Sequence, residues 1–373
     1  MITSGGGPGV WGLLHALRTL PGRSATVIVQ DPDPQPTFGT QLGDEAANLP
    51  PASDSTYVDC LIQFCRRRRV DLLIPVFDGE LAAIGRRREE LERIGTTVLL
   101  PPTDLVETCG NKWRLHARLA GTEFLPEHRL VTTPKQTQDA IDQLGYPRRR
   151  LCVRPVDLAG GRGLHFLDSE PNRFELRLLG KPGPIRCTAA EFMETRLCGP
   201  HDFPLVISEY LPGDDLGIDL LADDGEVIEL VIRRKRGPLF HGNPMRFDFA
   251  QRDGERDWVA SLANELKLSG LMCIDARYDE QDRLRLVEIN PRPSACIGLS
   301  CARIHLPAWA IDLALQDRPI DPASYYADEP AEAAVRALAE VAIGPGRSRL
   351  LSPEPRRLTE IEDHARAVPG CPS

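Results

Sequence analysis

Apolar runs separated by helix-length amphipathic segments dominate the first 107 residues of the chain. The predicted elements, in chain order, are helix 10–20, strand 25–30, helix 57–69, strand 71–75, helix 81–94 and strand 97–100. Short apolar strands that alternate with helices are typical of a parallel sheet covered by helices on both faces. The first region is therefore predicted to be a doubly wound α/β domain.

After residue 107 the pattern changes to short strands that flank turn sequences. The predicted strand pairs are 151–154 with 164–167 around a glycine-rich turn, 216–222 with 227–233 around Asp223-Asp224-Gly225, and 271–277 with 284–289 around a polar turn. Such pairs indicate antiparallel hairpins. We predict four segments, namely an N-terminal domain (1–107), a linker helix and lid (108–204), a platform (205–325) and a peripheral tail (326–373), with a candidate helix over 331–341.

Composition narrows the class of protein. The 373 residues are 42% hydrophobic and carry a net charge of −9, which suits two or three folded domains and argues against a nucleic-acid partner. No apolar run approaches the ~18 residues of a membrane span, and the N-terminus lacks the basic and apolar segments of a signal peptide. The ten cysteines include no CxxC pair, which argues against a zinc knuckle. We expect a cytoplasmic protein without a membrane partner.

The last predicted hairpin carries the most informative polar pattern. If its turn centres between Gln281 and Asp282, Asp275 lies opposite Glu288, and Asn290 shares their face. Facing carboxylates repel each other, and a cation between them removes that repulsion. Carboxylate and amide oxygens suit Mg²⁺. Spacing alone leaves open a second interpretation, in which the two carboxylates only lie on the solvent-exposed face of an edge hairpin.

The flanking residues favour phosphate chemistry. Arg292 follows the hairpin directly and is placed to neutralise the charge that develops on a transferring phosphoryl group. The glycine-rich turn at 159–163 offers backbone N–H groups that can cover phosphates, and Arg154 precedes it. A glycine-rich hairpin is a weak signal alone, because many such hairpins are only turns.

Together, these motifs resemble the ATP-grasp superfamily, and within it the ligases related to the large subunit of carbamoyl-phosphate synthetase, including the pyrrolysine-pathway type. The resemblance covers about 110–310, and the N-terminal region is similar to the domain that precedes ATP-grasp modules. The motifs that carry it are Val153–Pro155, Gly160–Gly163, Ser208–Asp215, Cys273–Asp275 and Val287–Arg292.

The resemblance implies a role for each matching residue. Asp275, Glu288 and Asn290 would hold two Mg²⁺ ions, with Mn²⁺ as an alternative, and Arg292 would contact the γ-phosphate and an acyl phosphate. Nucleotide contacts are implied for Lys112, Arg154, Gly160, Gly161, Gly163, Glu209, Tyr210, Leu211, and Asp214 or Asp215. Arg154 stands where many members have lysine, and the synthetase branch has arginine there.

The resemblance also implies an activity. It predicts an ATP-dependent carboxylate–amine or carboxylate–thiol ligase that forms ADP and phosphate through an acyl phosphate, acting on an amino acid or small metabolite. Its partners would be the small-molecule substrates, and a homodimer is the commonest oligomer on base rates alone.

Two departures from the superfamily pattern leave roles unassigned. Cys273 stands where certain dipeptide ligases carry a catalytic arginine, so that role falls to Arg292 or Arg233. The stretch 233–244 is predicted to be a mobile loop near the active site, in which Lys235 or Arg236 is a candidate for binding phosphate or a substrate carboxylate.

Two rival functions remain open at this point. A nucleotide-dependent oxidoreductase is suggested by the glycine-rich turn Gly5–Gly9 with Asp31 about 25 residues later, although the glycines do not fit GxGxxG in register. A non-catalytic ATP-binding regulatory module would also keep the nucleotide motifs. The complete set Asp275, Glu288 and Asn290 argues against loss of metal binding in such a module.

Overall fold

The computed structural model describes residues 1–7, 9–157, 163–171, 185–196, 203–240, 243–335, 341–344 and 347–350. Its first region alternates helices and strands, as predicted. The helices are α1 (Val10–Arg18), α2 (Phe38–Leu42), α3 (Tyr57–Arg68), α4 (Asp78–Arg86), α5 (Arg88–Arg93) and α6 (Thr103–Cys109). The strands are β1 (Ile28–Asp31), β2 (Glu45–Asn48), β3 (Leu72–Leu73) and β4 (Thr97–Val98).

The N-terminal strands are parallel, which confirms the predicted sheet type. β1 pairs with β2 and β3 pairs with β4, while Ile2 forms parallel bridges to both Val29 and Ile74 and so joins the two pairs. The single helix predicted over 81–94 is instead two helices that meet at Arg87. α2 and β2 lie in a proline-rich connection for which no element was predicted.

The lid is a five-stranded sheet with its own core. Its strands, β5 (His128–Val131), β6 (Leu151–Pro155), β7 (His165–Leu167), β8 (Ile185–Cys187) and β9 (Leu205–Glu209), lie in the order β5-β9-β6-β7-β8. Helix α7 (Lys112–Arg118) leads into the lid, and α8 (Pro134–Gln143) and α9 (Ala189–Arg196) belong to it. The apolar side chains of this sheet, with those of α8 and α9, form a cluster separate from the other cores.

The platform is a six-stranded antiparallel sheet in the order β14-β13-β10-β11-β12-β15. Its strands are β10 (Asp215–Asp223), β11 (Glu226–Phe240), β12 (Asn243–Asp248), β13 (Gly270–Tyr278), β14 (Leu284–Asn290) and β15 (Ala333–Val335). Its helices are α10 (Glu255–Leu266), α11 (Ile297–Ser300) and α12 (Leu306–Leu315).

Two sequence expectations are wrong in this sheet. Arg233–Arg236 lie within the continuous strand β11, where Leu216 pairs with Arg234, so the predicted loop over 233–244 is largely a strand pair. The candidate helix over 331–341 is a strand over Ala333–Val335 in its described part. In both segments, pairing with a neighbouring strand provides hydrogen-bond partners for the backbone N–H and C=O groups, and this favours a strand.

Side-chain alternation gives the two faces of the platform different characters. One face packs with α7 and α10 through apolar residues such as Leu216, Ile218 and Ile274, and carries the ion pair of Arg234 with Asp214 at one end. The opposite face is apolar only at one end, where Leu221 and Leu271 pack with α1 and α12. The other end of that face carries charged side chains, and it is the part of the sheet that the lid adjoins through Arg154.

The segment after β14 ties the N-terminal domain to the platform. A Cβ atom at Gly9 would lie 2.6 Å from the Cα of Ala295, and one at Gly298 would lie 2.6 Å from the Cα of Gly12. The backbones of α1 and α11 therefore approach each other more closely than larger side chains allow. This contact holds the residues that follow Asn290 against the N-terminal domain.

The chain divides after Arg336 into a large unit and a C-terminal unit. In the C-terminal unit, β16 (Val341–Gly344) and β17 (Arg347–Leu350) form an antiparallel hairpin. Within the described part of the chain, no helix is long and apolar enough to span a bilayer. The internal boundaries at 107, 204 and 325 stay predictions.

Candidate active site

Two facing carboxylates and an amide occupy the charged end of the platform. Asp275 on β13 pairs directly with Glu288 on β14, as the hairpin arithmetic predicted, and a bulge follows between Asp275 and Ala276. The amide nitrogen of Asn290 lies 3.4 Å from Asp275 Oδ2 and 3.4 Å from Glu288 Oε1. The three side chains therefore converge on one point.

Two lysines balance these carboxylates. Lys235 Nζ, on β11, donates to Asp275 Oδ1 at 2.8 Å and pairs with Asp215 Oδ1 at 2.7 Å. Burial alone would lower the pKa of Lys235, but the charges of Asp275 and Asp215 outweigh it and raise that pKa. Lys112 Nζ, from α7, lies 3.9 Å from Glu288 Oε2. Burial lowers the pKa of Lys112, and the charge of Glu288 opposes this shift.

The donor set fits a hard divalent cation. Asp275 and Glu288 supply carboxylate oxygens, and Asn290 supplies an amide beside both. Among the described residues, no three His, Cys, Asp or Glu side chains gather around one point. An ion held by two carboxylates and one amide would keep coordination positions for water and phosphate, which is the usual arrangement of Mg²⁺.

Arg154 projects from the lid onto the platform. Its Nη1 donates to the carbonyl of Val287 at 2.7 Å, and the side chain is buried. Its Nε is also buried and has no hydrogen-bond partner within the described residues. A buried unpaired guanidinium N–H is costly, and an anion in the cleft would satisfy it. The position suits the phosphate contact that was expected of Arg154.

Arg292 is held by an acid from the N-terminal domain. Its Nε and Nη2 donate to Asp78 Oδ1 and Oδ2 at 2.7 and 2.9 Å, and its Nη1 donates to the carbonyl of Pro293 at 3.2 Å. Burial would lower the pKa of Arg292, but the hydrogen bonds and charge of Asp78 more than offset this and raise it. Sequence reasoning did not single out Asp78, because it lies 214 residues before Arg292 in the chain.

Arg233 is enclosed in the protein rather than presented to the cleft. It is 2% exposed, pairs with Asp219 at 2.9 Å, and donates to Ser300 Oγ at 3.0 Å and Ser294 Oγ at 3.1 Å. The charge of Asp219 raises the pKa of Arg233 against the opposing effect of burial. These contacts favour a role in holding the segment after β14 over direct contact with a substrate.

The two aspartates at the start of β10 face opposite sides of the sheet. Asp215 lies on the same face as Asp275, and Lys235 forms an ion pair with both aspartates. Asp214 pairs instead with three arginines: Arg234, Arg236 and Arg252. Of the two candidates for a ribose contact, Asp215 therefore lies on the side of the proposed metal site.

The expected hinge lies at the end of β9. The carboxylate of Glu209 accepts from Arg149 Nη2 at 2.6 Å and from the backbone N–H of Glu127 at 2.9 Å, so it is engaged within the lid. The ring of Tyr210 contacts Phe166 edge to face, with 5.3 Å between centroids. Leu211 is buried. Adenine contacts from Glu209, Tyr210 and Leu211 stay a prediction.

The glycine-rich turn is only partly described. Gly160 and Gly161 lie outside the described residues. Gly163 is described and has φ +71°, a left-handed conformation that favours glycine. The expected role of this turn as a phosphate cover stays a prediction.

A cleft of about 440 Å³ opens beside the convergent side chains. It is bordered by the start of α4, by the junction of α6 and α7, and by the end of β14. Asp78, Lys112, Glu288 and Asn290 all line it. The half-exposed ring of Phe77 lines the same cleft, together with Leu81 and Val106. This volume suits a small-molecule ligand.

Two family models match the chain. Residues 13–99 match a model described as the PylC-like N-terminal domain, and residues 201–340 match one described as ATP-grasp in the biosynthetic pathway with Ter operon. The arginine-specific large chain of carbamoyl phosphate synthase from Bacillus subtilis (strain 168) is 22% identical over 248 residues. That match covers 64% of this chain and 22% of the relative, so the chain spans about a fifth of the relative's length.

Solved structures share the fold across most of the chain. N5-carboxyaminoimidazole synthetase from Staphylococcus aureus, complexed with ADP, matches with a TM-score of 0.60 at 15% identity. The match covers 86% of this chain and 77% of the synthetase chain. L-amino acid ligase from Bacillus licheniformis has a TM-score of 0.56 at 17% identity, covering 87% and 75%. The biotin carboxylase domain of 2-oxoglutarate carboxylase from Hydrogenobacter thermophilus, with MgADP, has a TM-score of 0.60 at 17% identity, covering 87% and 71%.

The fold and its charged platform thus define an ATP-grasp architecture. More narrowly, the two family models identify residues 13–99 as a PylC-like N-terminal domain and residues 201–340 as an ATP-grasp domain, and with the synthase relative they support an ATP-grasp ligase of this branch.

Proposed function

We propose that the protein is an ATP-dependent carboxylate–amine ligase that works through an acyl phosphate and releases ADP and phosphate. The observation that carries the proposal is the convergence of Asp275, Glu288 and Asn290 beneath Arg154 of the lid and beside Lys112. Facing carboxylates under basic groups suit a nucleotide bound with a divalent cation. The ADP and MgADP complexes of the structural neighbours support ATP and Mg²⁺ as the ligands.

The first step transfers the γ-phosphoryl group. An oxygen of the substrate carboxylate attacks the γ-phosphorus, the bond to the bridging oxygen breaks, and ADP leaves. Asp275, Glu288 and Asn290 would hold Mg²⁺, which neutralises phosphate charge when bound. Arg154 and Lys112 neutralise charge from the lid side, and Arg292 does so from the end of β14. Such catalysis depends mainly on positioning and charge.

The second step forms the new bond. The amine nitrogen attacks the acyl carbon, phosphate leaves, and the nitrogen loses its proton. A thiol nucleophile would follow the same course to a thioester. Closure of the lid over the nucleotide would exclude water, which otherwise hydrolyses the acyl phosphate.

The cleft bordered by Phe77 is the proposed entry for the carboxylate substrate. The cleft extends from the N-terminal domain to Glu288 and Asn290, and both apolar and charged side chains line it. Its size favours an amino acid or a small metabolite. A homodimer, a cytoplasmic location and Mn²⁺ as an alternative ion remain predictions.

The direct test measures the ADP that the protein forms from ATP when Mg²⁺ and pooled carboxylates and amines are present. Mass spectrometry would identify the products. We expect Glu288→Gln to lower turnover by at least about 100-fold, because charge stabilisation at phosphoryl transfer is the main catalytic contribution. Glu226→Gln, an exposed change on the same sheet, is the matched control and should behave as wild type.

Two outcomes would contradict the proposal. Turnover at the wild-type rate in Glu288→Gln would contradict the assignment of Glu288 as a Mg²⁺ ligand. Nucleotide binding without turnover for any substrate pair would favour a non-catalytic ATP-binding module.

A further inference from the structure

The ion pair between Asp78 and Arg292 joins the two sides of the cleft. Asp78 is the first residue of α4 in the N-terminal domain, and Arg292 follows the platform strand β14. Both carboxylate oxygens of Asp78 accept, one from Nε and one from Nη2, at 2.7 and 2.9 Å. This two-point contact orients the guanidinium plane as well as placing its charge.

A count of donors shows what the pair leaves available. A guanidinium carries five N–H groups. Nε and one N–H of Nη2 go to Asp78, and one N–H of Nη1 goes to the carbonyl of Pro293. Within the described residues, one N–H on Nη1 and one on Nη2 have no acceptor. Two N–H groups on the terminal nitrogens form the end of the guanidinium that can bind an oxyanion at two points.

Both partners are mounted on well-packed elements. Asp78 begins a helix whose Leu81 and Ile84 are buried in the N-terminal core, and its charge is favourable at a helix N-terminus. The segment after Arg292 is held by the platform, because Arg233 on β11 donates hydrogen bonds to Ser294 and Ser300. Neither partner can shift far without disturbing these contacts.

The surroundings of the pair include other charged residues of the cleft. Asp78 borders the same cleft as Lys112, Glu288 and Asn290, so the pair lies at the margin of the proposed phosphoryl-transfer site. We infer that Asp78 is a positioning residue, which holds Arg292 by one edge and presents the two remaining N–H groups to the γ-phosphoryl group of the nucleotide. This inference rests on the proposed function and adds a residue from outside the ATP-grasp platform to it.

The test compares two nucleotides that differ in the γ-phosphoryl group. Calorimetry would measure the affinity of wild type and of Asp78→Asn for MgADP and for the Mg²⁺ complex of the non-hydrolysable analogue AMP-PNP. We expect Asp78→Asn to weaken AMP-PNP binding by about tenfold, the effect of one charge-assisted contact, and to leave MgADP binding within about twofold. In an Arg292→Gln background, Asp78→Asn should produce no further loss, because it acts through Arg292.

Asp59→Asn is the matched control, since Asp59 pairs with the exposed Arg87 in the same domain. It should leave both affinities unchanged. Equal losses for both nucleotides, or no loss for either, would overturn the inference while the proposed function stands. A wild-type protein that binds neither nucleotide would overturn the proposed function and the inference together. A loss for Asp78→Asn that persists in the Arg292→Gln background would show that Asp78 does not act through Arg292.

Discussion

Adjacent acids in a strand can have unrelated roles, because successive side chains point to opposite faces. Asp214 and Asp215 illustrate this at the start of β10. Asp215 joins Lys235 and Asp275 on the charged face, whereas Asp214 joins a group of arginines on the other. The motif resemblance left the ribose contact open between these two residues, and the faces of the sheet separate them.

We expect Asp215→Asn to weaken MgADP binding by about tenfold, since it removes a charged acceptor beside the proposed nucleotide site. Asp214→Asn should leave the affinity within about twofold and lower the melting temperature, because each of three arginines loses one of its two acidic partners. Calorimetry and thermal unfolding would measure both effects. The reverse result would assign the ribose contact to Asp214.

Arg233 allows a test of structural against catalytic roles at a single residue. Its partner Asp219 is fully buried, and Asp219 Oδ1 has no hydrogen-bond partner within the described residues. Arg233→Met should lower the free energy of unfolding by about 3 kcal/mol, because it leaves a buried carboxylate without its counter-ion. Denaturant unfolding would measure the loss.

Arg93→Met is the control for this change, since Arg93 forms an exposed pair with Glu89, a type worth less than about 1 kcal/mol. Full stability combined with lost turnover in Arg233→Met would instead support the catalytic role that the sequence suggested for Arg233.

At the scale of elements, the contact between α1 and α11 determines how the N-terminal domain meets the platform. A Cβ at Gly298 would lie 2.6 Å from the Cα of Gly12, and one at Gly12 would lie 3.0 Å from the backbone nitrogen of Gly298. Both contacts involve backbone atoms, which cannot move aside as a flexible side chain does.

We therefore expect Gly298→Ala to lower the free energy of unfolding by about 2 kcal/mol, as overpacking does, and Gly12→Ala to cost less. Thermal unfolding of the two variants would rank them. Because Arg292 precedes this contact by a few residues, Gly298→Ala should also weaken AMP-PNP binding. Equal stability of both variants and wild type would contradict the close packing.

At the scale of the whole molecule, the lid has a small core of its own, apart from those of the platform and the N-terminal domain. Its hydrogen bond from Arg154 to Val287 is one link to the platform beside the proposed site. A region with a small separate core opens more readily than the rest of a protein. Nucleotide held between lid and platform would oppose that opening.

Hydrogen exchange would detect this effect. With MgADP at about 100 times its Kd, exchange in β6 and β9 should slow by up to about 100-fold. Exchange in β1, in the N-terminal sheet, serves as the internal control and should stay unchanged. Equal slowing in β1 and β9 would indicate general stabilisation rather than a ligand at the lid.

Local patterns predicted most of the framework and part of the site. Period-two and helical spacing located most of the strands and helices, and the symmetry of one hairpin predicted that Asp275 faces Glu288. The β11 extension was missed because the charged run Arg233–Arg236 suggested a loop, and β15 was missed because it pairs with β12, which lies far earlier in the chain. The pair Asp78–Arg292 was missed for the same reason as β15, since no local period encodes a contact between domains. Arg233 and Asp219 lie on the paired strands β11 and β10, so the predicted hairpin accounts for their proximity but not for their burial.

The sequence by itself determined the parallel N-terminal sheet, the platform hairpins and the residue types at the proposed metal site, since each is encoded in local patterns of strands, helices and turns along the chain. Only the tertiary structure decided which charges meet. It buried Arg233 and joined Arg292 to Asp78, because burial and partner choice depend on elements far apart in sequence.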